Sequence, residues 1–127
     1  MKIAIPVNDA QQVSGHAGQA RHWWIYDCLP GHPLPHPDSV ELAKEQVLHH
    51  FKDDGPHPLD GVEIVVAASA GDGFIRHMQK RGAQVLLTGE REPDQALARI
   101  LTGEALPETR FDITTTLCKL RDLFARH

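Results

Sequence analysis

Two cysteines, Cys28 and Cys118, are too few for a disulfide framework in 127 residues. Without a CxxC pair they do not make a four-cysteine zinc or iron–sulfur site either. No apolar run reaches the roughly 20 residues that span a bilayer. Positive charge is in deficit: 13 Lys and Arg against 17 Asp and Glu leave a net charge of −4. That excludes the basic footprint of a general nucleic-acid binder and the polybasic cluster of a membrane anchor. Residues 1–7 are broken by Pro6 too early for a signal-peptide core and read as a first strand. These absences together predict a cytoplasmic protein with neither nucleic acid nor membrane as partner. The GxGxxG fingerprint of a dinucleotide site is missing, as are internal repeats and low-complexity tracts.

What is present suits one compact α/β domain. The chain is 41% hydrophobic, enough for a single core. Runs rich in β-branched, aliphatic and aromatic residues, bounded by glycine and proline, predict strands near residues 2–7, 22–28, 62–68 and 83–88. A further strand running to about Leu42 is followed by a short helix or turn. Helices are expected from the Gly71-Asp72-Gly73 turn to about Arg81, with Phe74, Ile75 and Met78 inward, and from Pro93 to Gly103. The tail carries Leu117, Leu120, Leu123 and Phe124 at helical spacing from about Thr115. Such a stripe must be covered by the domain or by a partner subunit, which leaves room for a homo-oligomer. The order strand, strand, strand, then strand–helix–strand–helix, gives a mixed sheet with helices against it.

Nine histidines are a surplus for this length, and histidine is the commonest metal ligand near neutral pH. Three constellations could carry chemistry. In Ser14-Gly15-His16-Ala17-Gly18, two glycines bracket a histidine in the loop after the first strand, although the same residues also describe a tight loop with a solvated histidine. His49 and His50 are followed by His57 after an Asp-Asp-Gly-Pro turn. Neighbouring histidines reach one metal only where the backbone is irregular; otherwise one is buried and the other solvated. Ser69-Ala70-Gly71-Asp72-Gly73 joins the carboxyl end of a central strand to a helix N-terminus, a place where amides and the helix dipole favour an anion. Cys28 and Cys118 read as small buried residues, and of Trp23 and Trp24 one belongs in the core.

The opening Met-Lys-Ile-Ala-Ile-Pro-Val, the run Ser14-Gly15-His16-Ala17-Gly18-Gln19-Ala20 and Trp24-Ile25-Tyr26-Asp27 together resemble the dinitrogenase iron–molybdenum cofactor biosynthesis family. That family comprises the NifX/NafY-type proteins and the C-terminal domain of NifB. The stretch 61–67, the Gly71-Asp72-Gly73 turn, Gly82 and residues 93–106 fit as well, so the resemblance spans residues 1–106 and leaves 107–127 as a C-terminal helical extension. It implies a ribonuclease H-like fold, with a five-stranded mixed sheet in a three-layer arrangement. It also implies a non-enzymatic carrier of an iron–sulfur cluster of iron–molybdenum type or its precursor, serving metallocluster assembly for nitrogen fixation or a related process, with nitrogenase-assembly proteins as partners. The family's Ser-x-His-x-Gly histidine maps onto His16. The chain departs at Ala17, where an aromatic is common, and in a short, proline-rich segment at 53–60.

On this reading His16, Gly15, Gly18, Gly71 and Gly73 form the cofactor-binding set, and His16, His49, His50 and His57 supply metal ligands from one shared face. A preassembled cluster brings its own sulfide, so one or two imidazoles suffice. Two other readings stand beside it. One is an enzyme, either a two-metal nuclease or a histidine-dependent metal-binding enzyme; the nuclease would need several carboxylates gathered on the sheet, and Glu63 is the one strand-centre acid, with Asp9 at a strand end. A regulatory or interaction domain would bind no metal at all.

Overall fold

The computed structural model describes residues 1–29, 33–48 and 56–101. Five strands occur in the order β1 (Lys2–Pro6), β2 (His22–Asp27), β3 (Asp38–Glu41), β4 (Val62–Ala67) and β5 (Gln84–Leu87). Helix α1 (Asp72–Lys80) lies between β4 and β5, and α2 (Pro93–Leu101) follows β5. Single 3₁₀ turns occupy Ala17–Gln19 and Lys44–Gln46. The strands align as β3-β2-β1-β4-β5 in one mixed sheet. The hairpin-linked β1, β2 and β3 run antiparallel, whereas β4 joins β1 in parallel and β5 joins β4 in parallel. Local connections thus build two halves, and the β1–β4 pairing is the seam between them.

Side-chain alternation along the strands splits the core in two. One cluster holds Ile3, Ile5, Tyr26, Ile64, Val66 and Leu86 against Ala96, Leu97 and Ile100 of α2. The other holds Ala4, Trp23, Val65, Ala67, Val85 and Leu87 against Phe74 and Met78 of α1. The sheet is therefore the middle of three layers. Fully burying a side chain such as Leu97 or Ile100 is worth about 1.5–3 kcal/mol, so these contacts fix both helices.

Local chemistry sets the helix ends. Pro93 opens α2, where a missing N–H costs nothing and the ring presets φ. At the end of α1, Gly82 adopts φ +87, its N–H reaches the Gln79 carbonyl, and the Ala83 N–H reaches Met78. That paired closure requires a left-handed residue, which is why glycine stops the helix there. The expected strands are present, each trimmed by one or two residues. Within α1, Phe74 and Met78 are buried, whereas Ile75 is only half-buried, at the rim of its cluster. Trp23 and Cys28 are buried as expected. The tail stripe at 115–124, Gly103 and Cys118 lie outside the described residues.

Candidate functional site

The chain leaves β1 toward β2 on one side of the seam and leaves β4 toward β5 on the other. The carboxyl ends of β1 and β4 therefore diverge, and a crevice opens where connections depart in opposite directions, the usual ligand position in an open α/β sheet. The loop after β1 is sewn across this point. The Ser14 N–H donates to the Pro6 carbonyl, the Val13 N–H to Arg91, and the Ala68 N–H to Ser14 at 2.9 Å. The His16 N–H donates to Ser69 Oγ at 2.8 Å, and the Ala17 N–H to the Ser69 carbonyl at 3.2 Å. Gly15 is required by this embrace, because a Cβ there would meet Ser69 Oγ at 2.7 Å.

His16 itself sits at φ 51, ψ 53, the left-handed region that a Cβ-bearing residue rarely enters. Its N–H bond to Ser69 and the Gln19 N–H bond to its own carbonyl at 2.8 Å hold it there. Such conformations persist only where surrounding contacts over-determine them, and they gather at functional sites. Ala17, next in the chain, is wholly buried in the α1-side cluster, which leaves no room there for an aromatic side chain.

His16 lies exposed at the mouth of a cavity of about 500 Å³, a volume in the ordinary range for ligand pockets. Gly18 and Gln19 continue the wall on the β1 side, and Leu48 closes another side. Gly71, Gly73, Phe74 and His77 bring in the first turns of α1. Phe74 is braced by stacking on Trp23, with ring centroids 6.3 Å apart, and the Trp23 Nε1–H is tied to the Ala20 carbonyl. Cβ atoms at Gly71 and Gly73 would meet nothing within 4 Å, so these glycines keep the space open rather than serve a special backbone angle. Gly71 caps α1 without a side-chain hydrogen bond, and first-turn amides have no intrahelical acceptor, so that helix end presents partial positive charge.

The expected sites divide accordingly. His16, Gly18, Gly71 and Gly73 line one cavity, and Gly15 supports it from behind. His57 does not fit the ligand role expected of it. It is 5% exposed, its Nδ1 accepts the Leu59 N–H at 3.0 Å, and its Nε2 donates to the Gln46 carbonyl at 2.7 Å. With both ring nitrogens on backbone groups, His57 fastens the 3₁₀ turn Lys44–Gln46 to the start of the 57–61 turn. Burial, countered in part by the Gln46 carbonyl, pushes the His57 pKa down, so the ring stays neutral. The His57 N–H and the Arg81 guanidinium together hold the Asp60 carboxyl below the usual range. His49 and His50 lie outside the described residues, directly after Leu48 in the chain. Among the described residues no three His, Cys, Asp or Glu side chains gather as a site for a single metal ion. Asp9 is exposed in the loop after β1, Glu63 is exposed at the amino end of β4, away from the cavity, and no carboxylate is among the cavity's described lining residues.

Sequence reasoning missed His77. It lies four residues after Gly73, one helical turn on, which places both along one side of α1. Phe74 was read only as core, yet it serves core and cavity alike.

Comparisons with known proteins agree with this architecture. A family model described as "dinitrogenase iron-molybdenum cofactor" matches residues 1–103. Among solved structures, the protein PH0822 aligns at 24% identity and TM-score 0.62, over 88% of this chain and 96% of its own. A candidate NifB protein from Thermotoga, placed in the DUF35 family, aligns at 21% identity and TM-score 0.58, over 87% and 96%. A candidate dinitrogenase from Methanocaldococcus jannaschii aligns at 12% identity and TM-score 0.60, over 86% and 96%. At these identities the likeness is one of fold. No curated protein matches the chain.

Proposed function

Because the chain belongs to the dinitrogenase iron–molybdenum cofactor family, we propose that it binds and carries a preassembled metal–sulfur cluster, of iron–molybdenum type or a precursor of it, without catalysing a reaction. The observation that carries this reading is His16, held in a left-handed conformation at the mouth of the seam cavity. A neutral imidazole is a suitable end ligand for iron, and a cluster that brings its own sulfide needs few others. The partial positive charge at the start of α1 suits the anionic body of such a cluster. The side-chain-free wall at Gly71 and Gly73 leaves it space. In this role His16 coordinates, Gly15 and Gly18 shape the loop, and Phe74 and Leu48 keep water from one side. His49 and His50, next to Leu48 in sequence, are proposed as further ligands. The cargo would pass, in the cytoplasm, between assembly proteins of nitrogen fixation or a related process.

The test is anaerobic loading of the full chain with a synthetic iron–sulfur or molybdenum–iron–sulfur cluster, followed by metal analysis and an absorbance spectrum. Wild-type protein is expected to retain the cluster through gel filtration. His16→Ala is expected to lose at least about tenfold in affinity, the loss of one good ligand contact of about 1.4 kcal/mol, with an unchanged melting temperature. Equal retention by both proteins would overturn the assignment of His16, and no retention by either would overturn the carrier reading.

A further inference from the structure

One turn beyond the cavity, α1 changes character. Gly73, Arg76, His77 and Lys80 line a second, more open depression of about 400 Å³. Gly73 and His77 belong to both spaces, so the two are neighbours along one helix side. Arg76 and Lys80 are exposed and four residues apart, a like-charge spacing that costs an isolated helix about 0.2–0.5 kcal/mol. Of the other described arginines, Arg21 pairs with Glu41, Arg81 with Asp60 and Arg99 with Glu90, whereas the exposed Arg91 makes no ion pair among the described residues and lies away from either depression's described lining. Arg76 and Lys80 have no ion-pair partner among the described residues. In an acidic protein, two unneutralised cations beside a cavity are a place prepared for a negative charge from outside.

We propose that Arg76 and Lys80, with His77 at the shared wall, form an oxyanion subsite that extends the cavity and takes a carboxylate or phosphate-like group of the ligand. The proposal rests on reading the cavity as a ligand site. The two spaces suit different chemistry. An imidazole at the mouth suits a metal atom, whereas a guanidinium offers a planar fork that matches two oxygens at once. Lys80 adds a point charge one turn further on. A ligand spanning both would be bipartite, with its metal–sulfur end at His16 and its oxygen-rich end on the ledge.

The probes are citrate, inorganic phosphate and molybdate, added separately to isotope-labelled full-length protein, with chloride at matched ionic strength as control. At least one oxyanion is expected to shift the amide resonances of residues 73–80 saturably where chloride does not, and the affinity is expected to fall with added salt. Citrate, phosphate and molybdate as separate arms distinguish a carboxylate appendage from a tetrahedral one. Arg76→Gln combined with Lys80→Gln is expected to weaken that binding at least tenfold with an unchanged melting temperature, whereas His16→Ala leaves it intact. No saturable shift with any of the three, or undiminished affinity in the double variant, would overturn the subsite. Oxyanion binding together with His16-independent cluster loading would sink the carrier reading of His16 and leave the ledge standing. His16-dependent loading without oxyanion binding would do the reverse.

Discussion

Under α2 the sheet presents Ile3, Ile5, Ile64, Val66 and Leu86, and the helix answers with Ala96, Leu97 and Ile100. Under α1 the same strands present Ala4, Val65, Ala67, Val85 and Leu87, and part of the cover is loop and 3₁₀ turn rather than helix. Among the described residues the first face is closely packed, with only Met1, Trp24 and Leu101 partly exposed at its margin. Tyr26, wholly buried, donates its hydroxyl to Asp94 in the first turn of α2 at 2.8 Å, and burial with that carboxylate pushes its pKa far up. The second face is left partly open, with a cavity, a histidine at its mouth and a basic rim. The difference teaches a division of labour. Packing is concentrated where side chains are large and matched, and space is left where small residues and bare backbone line the other face.

The sharpest way to break the comparison is to damage the closely packed face. Leu97→Ala is expected to cost about 2–5 kcal/mol in urea denaturation, because a wholly buried leucine leaves a cavity the helix cannot collapse into. Cluster retention by the fraction still folded should be unchanged; a specific loss of retention at full folding would join the two faces functionally. Next comes Gly15→Ala, expected to cost about 1–3 kcal/mol through overpacking against Ser69 and to reduce loading as well, since the loop must move. Wild-type stability and loading in that variant would show that Ser69 can yield freely.

A smaller effect comes from pH. Burial lowers the His57 pKa below its unfolded value of about 6.5, so below that value the unfolded chain binds more protons than the native one. The stability linked to His57 is therefore fully present above about pH 6.5 and is lost as pH falls through its lower folded value. Urea midpoints at successive pH values should show this acid slope, and His57→Gln should flatten it. An identical slope in the variant would place the acid sensitivity elsewhere. The smallest effect on stability is expected from His16→Gly. Glycine accepts φ 51 without strain, so the melting temperature should hold or rise slightly while cluster retention falls.

Much of this fold was legible because glycine and proline punctuate it. Gly61, Gly82 and Pro93 bracket elements whose patterns are short but clean, and the expected strand to about Leu42 followed by a short helix or turn corresponds to β3 and the 3₁₀ turn Lys44–Gln46. The site was legible where it is local. His16 between two glycines declares a special loop, and Gly71-Asp72-Gly73 declares a helix start. The backbone contacts of His57 were not legible, because a histidine that binds backbone and one that binds metal look alike in sequence. Its role is decided by Gln46, eleven residues away, folding back over it. His77 escaped notice for the opposite reason: no motif surrounds it, and only the docking of α1 beside the loop after β1 gives it a place at the cavity.

The bond from the His16 N–H to Ser69 Oγ links residues 53 apart in the chain, and the β1–β4 partners beneath it, such as Lys2 with Val62, are farther apart still. Each half of the sheet can form from neighbouring contacts, but the seam requires closure of a long loop, the slow kind of contact in folding. The cavity thus exists only after the halves have met, and whatever occupies it touches both. Occupancy is expected to act as a clasp on the closed state: the unfolding rate should drop as cargo is added, while the folding rate stays that of the empty chain. A carrier built this way would release its load most readily when something prises the seam, so a recipient that engages the loop after β1 would gain control over the timing of transfer. Stopped-flow unfolding with and without cluster would measure the effect, and equal unfolding rates would dismiss it.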